Sequence, residues 1–340
     1  MMGNSMNSEL FSAVRERISS AENILLATHL KPDGDAIGST LGLAEFLKSI
    51  NKKVSVVLPD GIPDLYKLQN YNFLKALPDD HAAFDLFILL DTAVPARAGF
   101  TANGYVPECI KDRLQLIDHH PDNPLYGHWN CVIQRAATAE IVFELCESFS
   151  CRIPESCADF LLMGLLTDTG GFRFDNTNPA ALRSGAKLLE LGAHLNKVVN
   201  QIYFNKPYKQ QLFEAELLEK YLHWTCNNKV AWAVVTPELI AKYNFDQRNS
   251  EGVIDILRAI SGTEVVAIIS RRSGKSCRIS MRSKNLRRPV IDLAHKFNGG
   301  GHAMAAGMSV DFETLEEASC FFEREVQMLF PPEESKEIEA

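Results

Sequence analysis

Five carboxylates and three imidazoles stand at the ends of apolar runs in this 340-residue chain. His29, Asp33 and Asp35 follow NILLAT, Asp91 follows DLFILL, and Asp118, His119 and His120 follow RLQLI. Asp168 ends the apolar stretch FLLMGLLTD, just before Gly170 and Gly171. A lone aspartate after a strand usually closes a turn or caps a helix, and Asp35 taken alone reads as an N-cap. Four such places together carry more weight. Gathered on one edge, these carboxylates would repel one another, and Lys31 is the only lysine or arginine inside the motifs. A pair of divalent cations supplies the missing positive charge. Oxygen donors with imidazoles and no thiolate suit Mn²⁺, with Mg²⁺, Co²⁺ or Fe²⁺ as further candidates. Two cations about 3.5–4 Å apart, sharing a carboxylate, are an established clamp for hydrolysing phosphate esters.

The elements that must position these groups read as alternating strands and helices. Residues 23–28, 53–58, 85–90 and 113–117 are short apolar strands, and residues 36–50 carry helical spacing. This alternation predicts βαβ units and a mostly parallel sheet, an α/β fold whose chemistry collects beyond the carboxyl ends of the strands. Residues 137–222 read as mainly helical, and from about 228 strands return in KVAWAVV, TEVVAIIS and SCRISMRS. At roughly 150 residues per domain the length predicts two domains. We place the first at 8–190, a helical linker at 191–225, with a break near Asn205-Lys206-Pro207, a second domain at 226–330 and a frayed acidic tail at 331–340.

Composition narrows the function classes. Apolar residues make up 46% and charged residues 23%, an ordinary globular mixture. Lys plus Arg number 35 against 43 acidic residues, a net charge of -8, so a surface that coats nucleic acid throughout is excluded and any phosphate-binding patch is local. The amino terminus has no signal-peptide pattern and no apolar run is long enough to span a membrane. Eight cysteines without a CxxC pair read as buried thiols of a reducing, cytoplasmic protein rather than a zinc site.

The local patch falls in the second half. Residues 271–288 hold eight Lys or Arg and no acid, so the rest of the chain carries -8 - 8 = -16. Strand alternation turns Ile279 and Met281 to one face and Arg278, Ser280 and Arg282 to the other, where guanidinium groups suit phosphate. The bland alternative is a charged sheet edge that blocks pairing. Residues 298–307, NGGGHAMAAG, follow; a glycine run either lets backbone N–H groups approach an anion or makes a turn. Arg97, six residues past Asp91, can reach a phosphate or lie on the surface. Tyr66, Trp224 and Trp232 are left as core or surface residues.

HLKPDGDAIGS, LLDTA, IDHH and LLTDTGGF resemble, in order, the four motifs of the DHH phosphoesterase superfamily, and GGGH with RISMRS resembles its DHHA1 substrate-binding domain. The resemblance covers nearly the whole chain and implies a DHH domain with a five-stranded, mostly parallel sheet flanked by helices, plus a smaller α/β DHHA1 domain with a mixed sheet. It also implies roles. His29, Asp33 and Asp91 would hold one metal. Asp35, Asp91, His119 and Asp168 would hold the other, with Asp91 bridging. His120 would contact the scissile phosphate or protonate the leaving oxygen, and Asp118 would orient a histidine. Arg97 would reach the phosphate. Gly300, Gly301 and His302 would hold a terminal phosphate or nucleotide, supported by Arg278, Ser280 and Arg282.

Two domains without sensor or membrane segments resemble the nanoRNase/pAp phosphatase branch. That branch implies hydrolysis of very short single-stranded oligonucleotides to 5′-mononucleotides and removal of the 3′-phosphate of pAp; a homodimer is compatible with it. The alternatives are a soluble cyclic- or linear-dinucleotide phosphodiesterase and, from another class, a non-catalytic nucleotide- or RNA-binding regulator. An inorganic pyrophosphatase and a haloacid-dehalogenase-type phosphatase fit less well. The second half reads as built for nucleotides, and the Asp-His-His cluster would have no task in a haloacid dehalogenase.

Overall fold

The computed structural model describes residues 2–100, 106–246 and 251–330. The acidic tail expected to fray, 331–340, lies outside the described residues. The chain divides into two compact units, Met1–Asn205 and Lys206–Ala340.

In the first unit, β1 (Asn23–Ala27), β2 (Lys53–Val57), β3 (Leu86–Leu90), β4 (Leu114–Asp118) and β5 (Trp129–Val132) form one sheet in the order β2-β1-β3-β4-β5. Every pairing is parallel. The sheet is buried on both faces, which explains why the strands read as unbroken apolar runs. Ile24 and Leu26 turn into the larger core, while Leu25 and Ala27 join Phe87, Leu89, Leu114 and Leu116 on the opposite face. The strand β5 was not among the apolar runs. Only Cys131 is buried in WNCV, as fits an edge strand.

Among the described residues the unit also carries the α-helices α1 (Met2–Ser20), α2 (Gly34–Ser49), α3 (Glu108–Lys111), α4 (Thr138–Ser148), α5 (Glu155–Asp168), α6 (Pro179–Glu190) and α7 (Leu195–Tyr203). Helices α2 and α5 meet backbone to backbone. A methyl group built on Gly38 would lie 2.6 Å from the Gly164 nitrogen and the Phe160 carbonyl, so only hydrogen fits there. One on Gly164 would lie 2.6 Å from the Ala139 methyl and 2.8 Å from Asp35 Oδ1. Three helices, α2, α4 and α5, are thereby drawn together beside the switch point of the sheet, where the chain leaves β1 for β2 on one side and β3 for β4 on the other.

The second unit carries β6 (Leu222–Thr225), β7 (Val230–Val235), β8 (Val265–Ser273), β9 (Ser276–Ser283), β10 (Gly300–His302) and β11 (Ala305–Asp311), with helices α8 (Tyr208–Lys220), α9 (Pro237–Tyr243), α10 (Glu251–Arg258), α11 (Ile291–Lys296) and α12 (Leu315–Val326). The sheet runs β10-β11-β9-β8-β7-β6 and is mixed, with β7 and β8 parallel and the other pairs antiparallel. Its two faces are covered by separate cores, one around Ile279, Met281 and Phe322, the other around Phe213, Ala233 and Leu257. Tyr66 and Trp232 are core residues, and the Trp232 indole donates to Ser319 Oγ, whereas Trp224 is exposed. Among the described residues no helix is long and apolar enough to cross a membrane.

Candidate metal centre

The parallel sheet delivers five of the candidate residues by its own topology. His29 follows β1, Asp91 follows β3, and Asp118 ends β4 with His119 and His120 next. The helices bring the rest: Asp33 and Asp35 at the start of α2, and Asp168 as the last residue of α5. Asp33, not Asp35, is the N-cap of α2, accepting from Ala36 N at 2.9 Å. Asp35 reaches instead to α4. Its Oδ2 accepts from Thr138 N at 2.6 Å and its Oδ1 from Ala139 N at 2.9 Å. The N-cap of α4 is Ala137, which has no polar side chain, so an aspartate from a distant turn satisfies the helix's first donors.

The eight groups converge. Asp91 faces two ways: Oδ2 lies 3.8 Å from His29 Nε2, and Oδ1 lies 3.6 Å from His119 Nε2. On the first side His29 Nε2 is also 3.6 Å from Asp33 Oδ2. On the second side His119 Nε2 is 3.8 Å from Asp168 Oδ2 and 4.0 Å from Asp35 Oδ2. These separations exceed a hydrogen bond. They match the spacing of donors around one ion, since two ligands each about 2.1 Å from a cation stand about 3–4 Å apart. Asp91 itself has a φ of 53°, a left-handed backbone that a non-glycine residue adopts at some cost and that recurs at functional sites.

The imidazoles are set by their other nitrogens. His29 Nδ1 is 2.9 Å from the Leu30 carbonyl and His119 Nδ1 is 3.2 Å from the Arg135 carbonyl. Where Nδ1–H donates to these carbonyls, the Nε2 lone pair is left toward the carboxylates. His120 differs. Its Nδ1 donates to Asp118 Oδ1 at 2.8 Å, and Asp118 also accepts from His119 N and from the Asn123 amide. Arg97 is placed beside His29 because residues 97–99 run antiparallel to 28–30, with Leu30 N donating to the Arg97 carbonyl and Gly99 N to the Thr28 carbonyl. Its Nη2 donates to the Leu30 carbonyl at 3.2 Å and lies 3.0 Å from His29 Nδ1.

Electrostatics supply the test of fit. Burial, then the charges of Asp91, Asp168 and Asp33, hold Asp35 well above the usual carboxylate range. Burial and Asp33 push Asp91 up. Burial, reinforced by Asp91 and Asp33, brings Asp168 to about 6. Asp118 is held low, its burial outweighed by the His120 and Asn123 hydrogen bonds. For His120, burial opposes the charged form but the Asp118 hydrogen bond and the surrounding carboxylates prevail, raising it to about 10. Three carboxylates that destabilise one another's charge, faced by the Nε2 atoms of His29 and His119, are a donor set that divalent cations complete. Two overlapping groups, His29–Asp33–Asp91 and Asp35–Asp91–His119, have ligand atoms close enough to hold an ion.

The second-unit candidates form a surface of their own. On β9, Cys277, Ile279, Met281 and Ser283 are buried while Arg278 is exposed and Ser280 and Arg282 are partly so, the alternation expected for this strand. The glycine run is a strand rather than a turn: Gly300 pairs with Gly307 and His302 with Ala305, in a hairpin turned by Ala303 and Met304. Gly307 lies opposite Ser280 and Ala305 opposite Arg282, so Gly300, His302, Arg278, Ser280 and Arg282 share one face. Gly301 has the opposite parity. It pairs with Ala306, opposite Met281, and contributes only backbone to that face. A methyl group on Gly307 would lie 2.7 Å from the Arg278 guanidinium, which therefore lies flat across the glycine. Much of the basic run is engaged within the protein, and the Arg282 guanidinium itself donates to the Met281 carbonyl at 3.0 Å. Arg271 donates to the carbonyls of Lys275, Phe312 and Glu313, Lys275 pairs with Glu313, Lys284 donates to the Arg258 and Ile260 carbonyls, and Arg288 lies over Phe330.

Three residues that touch the site were not singled out from the sequence: Thr138, whose hydroxyl donates to Asp91 Oδ1 at 2.9 Å, Asn123, and Asn176, whose amide lies 3.3 Å from Asp168 Oδ2. A signal existed for one of them. A helix that opens on Ala137 without a capping residue needs its acceptor from elsewhere.

Comparison with known proteins agrees with this geometry. The family model described as "DHH family, N-terminal domain" matches residues 23–165, and "DHHA1 domain" matches residues 227–328. The chain is similar to a "Bifunctional oligoribonuclease and PAP phosphatase NrnA" of Thermus thermophilus, 32% identical over 300 residues, covering 87% of this chain and 86% of the relative. It is similar to the protein of the same name from Bacillus subtilis, 28% identical over 305 residues, 86% of this chain and 91% of that one. Among solved structures it is similar to an exopolyphosphatase-related protein from Bacteroides fragilis, with a TM-score of 0.81 and 26% identity over 95% of this chain and 97% of that one. With its four motifs gathered on one sheet edge and a relative of this identity matched over most of both lengths, the chain belongs to the DHH family of phosphoester hydrolases.

Proposed function

We propose that the protein is a two-metal phosphoesterase that hydrolyses very short oligonucleotides to 5′-mononucleotides and removes the 3′-phosphate of pAp. The observation that carries this reading is the two-sided Asp91, one oxygen toward His29 and the other toward His119. His29, Asp33 and Asp91 would hold one cation, and Asp35, Asp91, His119 and Asp168 the other. Mn²⁺ suits these oxygen and imidazole donors best, with Mg²⁺ or Co²⁺ as substitutes. When bound, such a pair polarises phosphoryl oxygens and activates water at neutral pH.

The chain's own residues do the rest. Asp118 occupies His120 Nδ1, so chemistry at this imidazole goes through Nε2, which contacts the scissile phosphate or passes its proton to the leaving oxygen. Arg97 offers a guanidinium to the phosphate from beside His29. On β9 and β10, Arg278, Ser280, Arg282 and His302, with the backbone of Gly300 and Gly301, hold a terminal phosphate or nucleotide. The names of the relatives, oligoribonuclease and PAP phosphatase, support this substrate class. A cytoplasmic setting goes with eight cysteines that are all free thiols.

A substrate panel run with Mn²⁺ and with chelator tests the reading. Two- to five-mers and pAp are turned over with metal and not with chelator. Equal rates on long strands would overturn the short-substrate preference. Faster turnover of a cyclic dinucleotide or of pyrophosphate would reassign the substrate, and binding without turnover would make the protein a regulator. Sedimentation of the same samples reads the homodimer expectation.

A further inference from the structure

Thr138 opens α4 and is fully buried. An alanine or valine would fill this apolar position, and a buried hydroxyl is costly unless it is bonded. Thr138 donates its hydroxyl to one oxygen of one residue, Asp91 Oδ1, at 2.9 Å. Its backbone N–H, with that of Ala139, holds Asp35. Asp91 Oδ1 is the oxygen that faces His119, and Asp91 Oδ2, facing His29, receives nothing from Thr138. The first turn of α4 thus secures two carboxylates on the His119 side and leaves the His29–Asp33 side to other contacts. Its backbone cannot shift far, because the Ala139 methyl abuts Gly164 of α5.

We propose that Thr138 is a positioning residue that governs one of the two cation sites selectively. By donating to Asp91 Oδ1 it fixes the direction in which that oxygen offers its remaining lone pair, and so sets the affinity of the Asp35–Asp91–His119–Asp168 site without setting that of the His29–Asp33–Asp91 site. The inference rests on the two-metal reading above and concerns a residue outside both ligand sets.

Calorimetric titration of the metal-stripped full chain with Mn²⁺ tests it, comparing wild type, Thr138→Val and Thr138→Ser. Loss of an oriented contact to a metal ligand costs about 10- to 100-fold in affinity. In Thr138→Val one of two binding events weakens by that factor while the other stays within about threefold. Thr138→Ser, which keeps the hydroxyl, restores it. Turnover at saturating Mn²⁺ recovers toward wild type, and at limiting Mn²⁺ it falls. If both events are unchanged, or both weaken equally, or serine fails to rescue, the selective role is overturned. If wild type binds no cation or a single one, the two-metal reading fails first, a distinct outcome. Where valine prevents folding, seen in a thermal melt, Thr138→Ala makes the same deletion in less volume and is held to the same outcomes.

Discussion

The carboxylate edge of the first unit and the arginine face of the second solve opposite problems with charge. Asp35 and Asp91 are buried and locked, one by two helix N–H groups and the other by a hydroxyl. Asp118 is locked as well, by a backbone N–H, an imidazole and an amide. Arg278 stands exposed on β9, held by strand alternation, by the glycine beneath it and by Ser280, whose Oγ lies 3.4 Å from its Nε. The contrast separates two tasks. Fixed, mutually repelling donors select small ions of opposite charge, while exposed guanidinium groups on a rigid sheet receive a ligand that arrives already hydrated. Chemistry should therefore fail in the first region and affinity in the second.

The largest break comes from Asp91→Ala, which removes the donor common to both sides. It should lower kcat by about three orders of magnitude or more, while calorimetry still detects pAp on the full chain. Persistent turnover would dissolve the distinction. Next, Arg278→Ala or Arg282→Ala should raise KM about 10- to 100-fold with kcat nearly kept, since charged hydrogen bonds to phosphate are lost without touching the metal donors. A fall in kcat alone would move those arginines into the chemistry.

A pH series sharpens the first half of the contrast. Asp168 must give up its proton to ligate, and its folded value is about 6. Mn²⁺ affinity should therefore rise through the region around pH 6, by up to about tenfold per unit from this group, and keep rising above it because Asp35 and His29 are also held above their ordinary values. Titrations in buffers of different ionisation enthalpy read the released protons; a flat profile from pH 5 to 7 would contradict it. The smallest catalytic effect belongs to Arg271→Ala. This arginine sits in the same basic run but is engaged with three backbone carbonyls. It should cost about 1–3 kcal/mol of stability by denaturant melt and leave KM within a factor of two.

Much of the candidate metal cluster is legible in the sequence because its members end apolar strands, and a parallel sheet places strand ends together by construction. Parallel pairing followed from the alternation of these runs with helical spacing, whereas the strand order did not. What escaped notice had no such periodic cue. The edge strand β5 is too polar to stand out, and the glycine run looked like a turn because its partner β11 is itself small-residued. The patch on 271–288 is less free than its charge suggests, since five of its cations bind carbonyls, a carboxylate or a ring. Thr138 carries only the faint cue of an uncapped helix start, because its importance lies in what stands opposite it, more than a hundred residues from Asp35 in sequence.

The contact at Gly38 and Gly164 has a consequence for how the protein can vary. Asp35 and Asp168 ride on helices whose separation is set by peptide groups in direct touch. Repacking of leucines and phenylalanines elsewhere in the core would leave that gauge undisturbed. One added methyl at either glycine would wedge the two helices apart and widen the gap the imidazole of His119 spans. The spacing of this candidate metal cluster is thus dictated by two missing side chains, and the rest of the interior is free to drift around them.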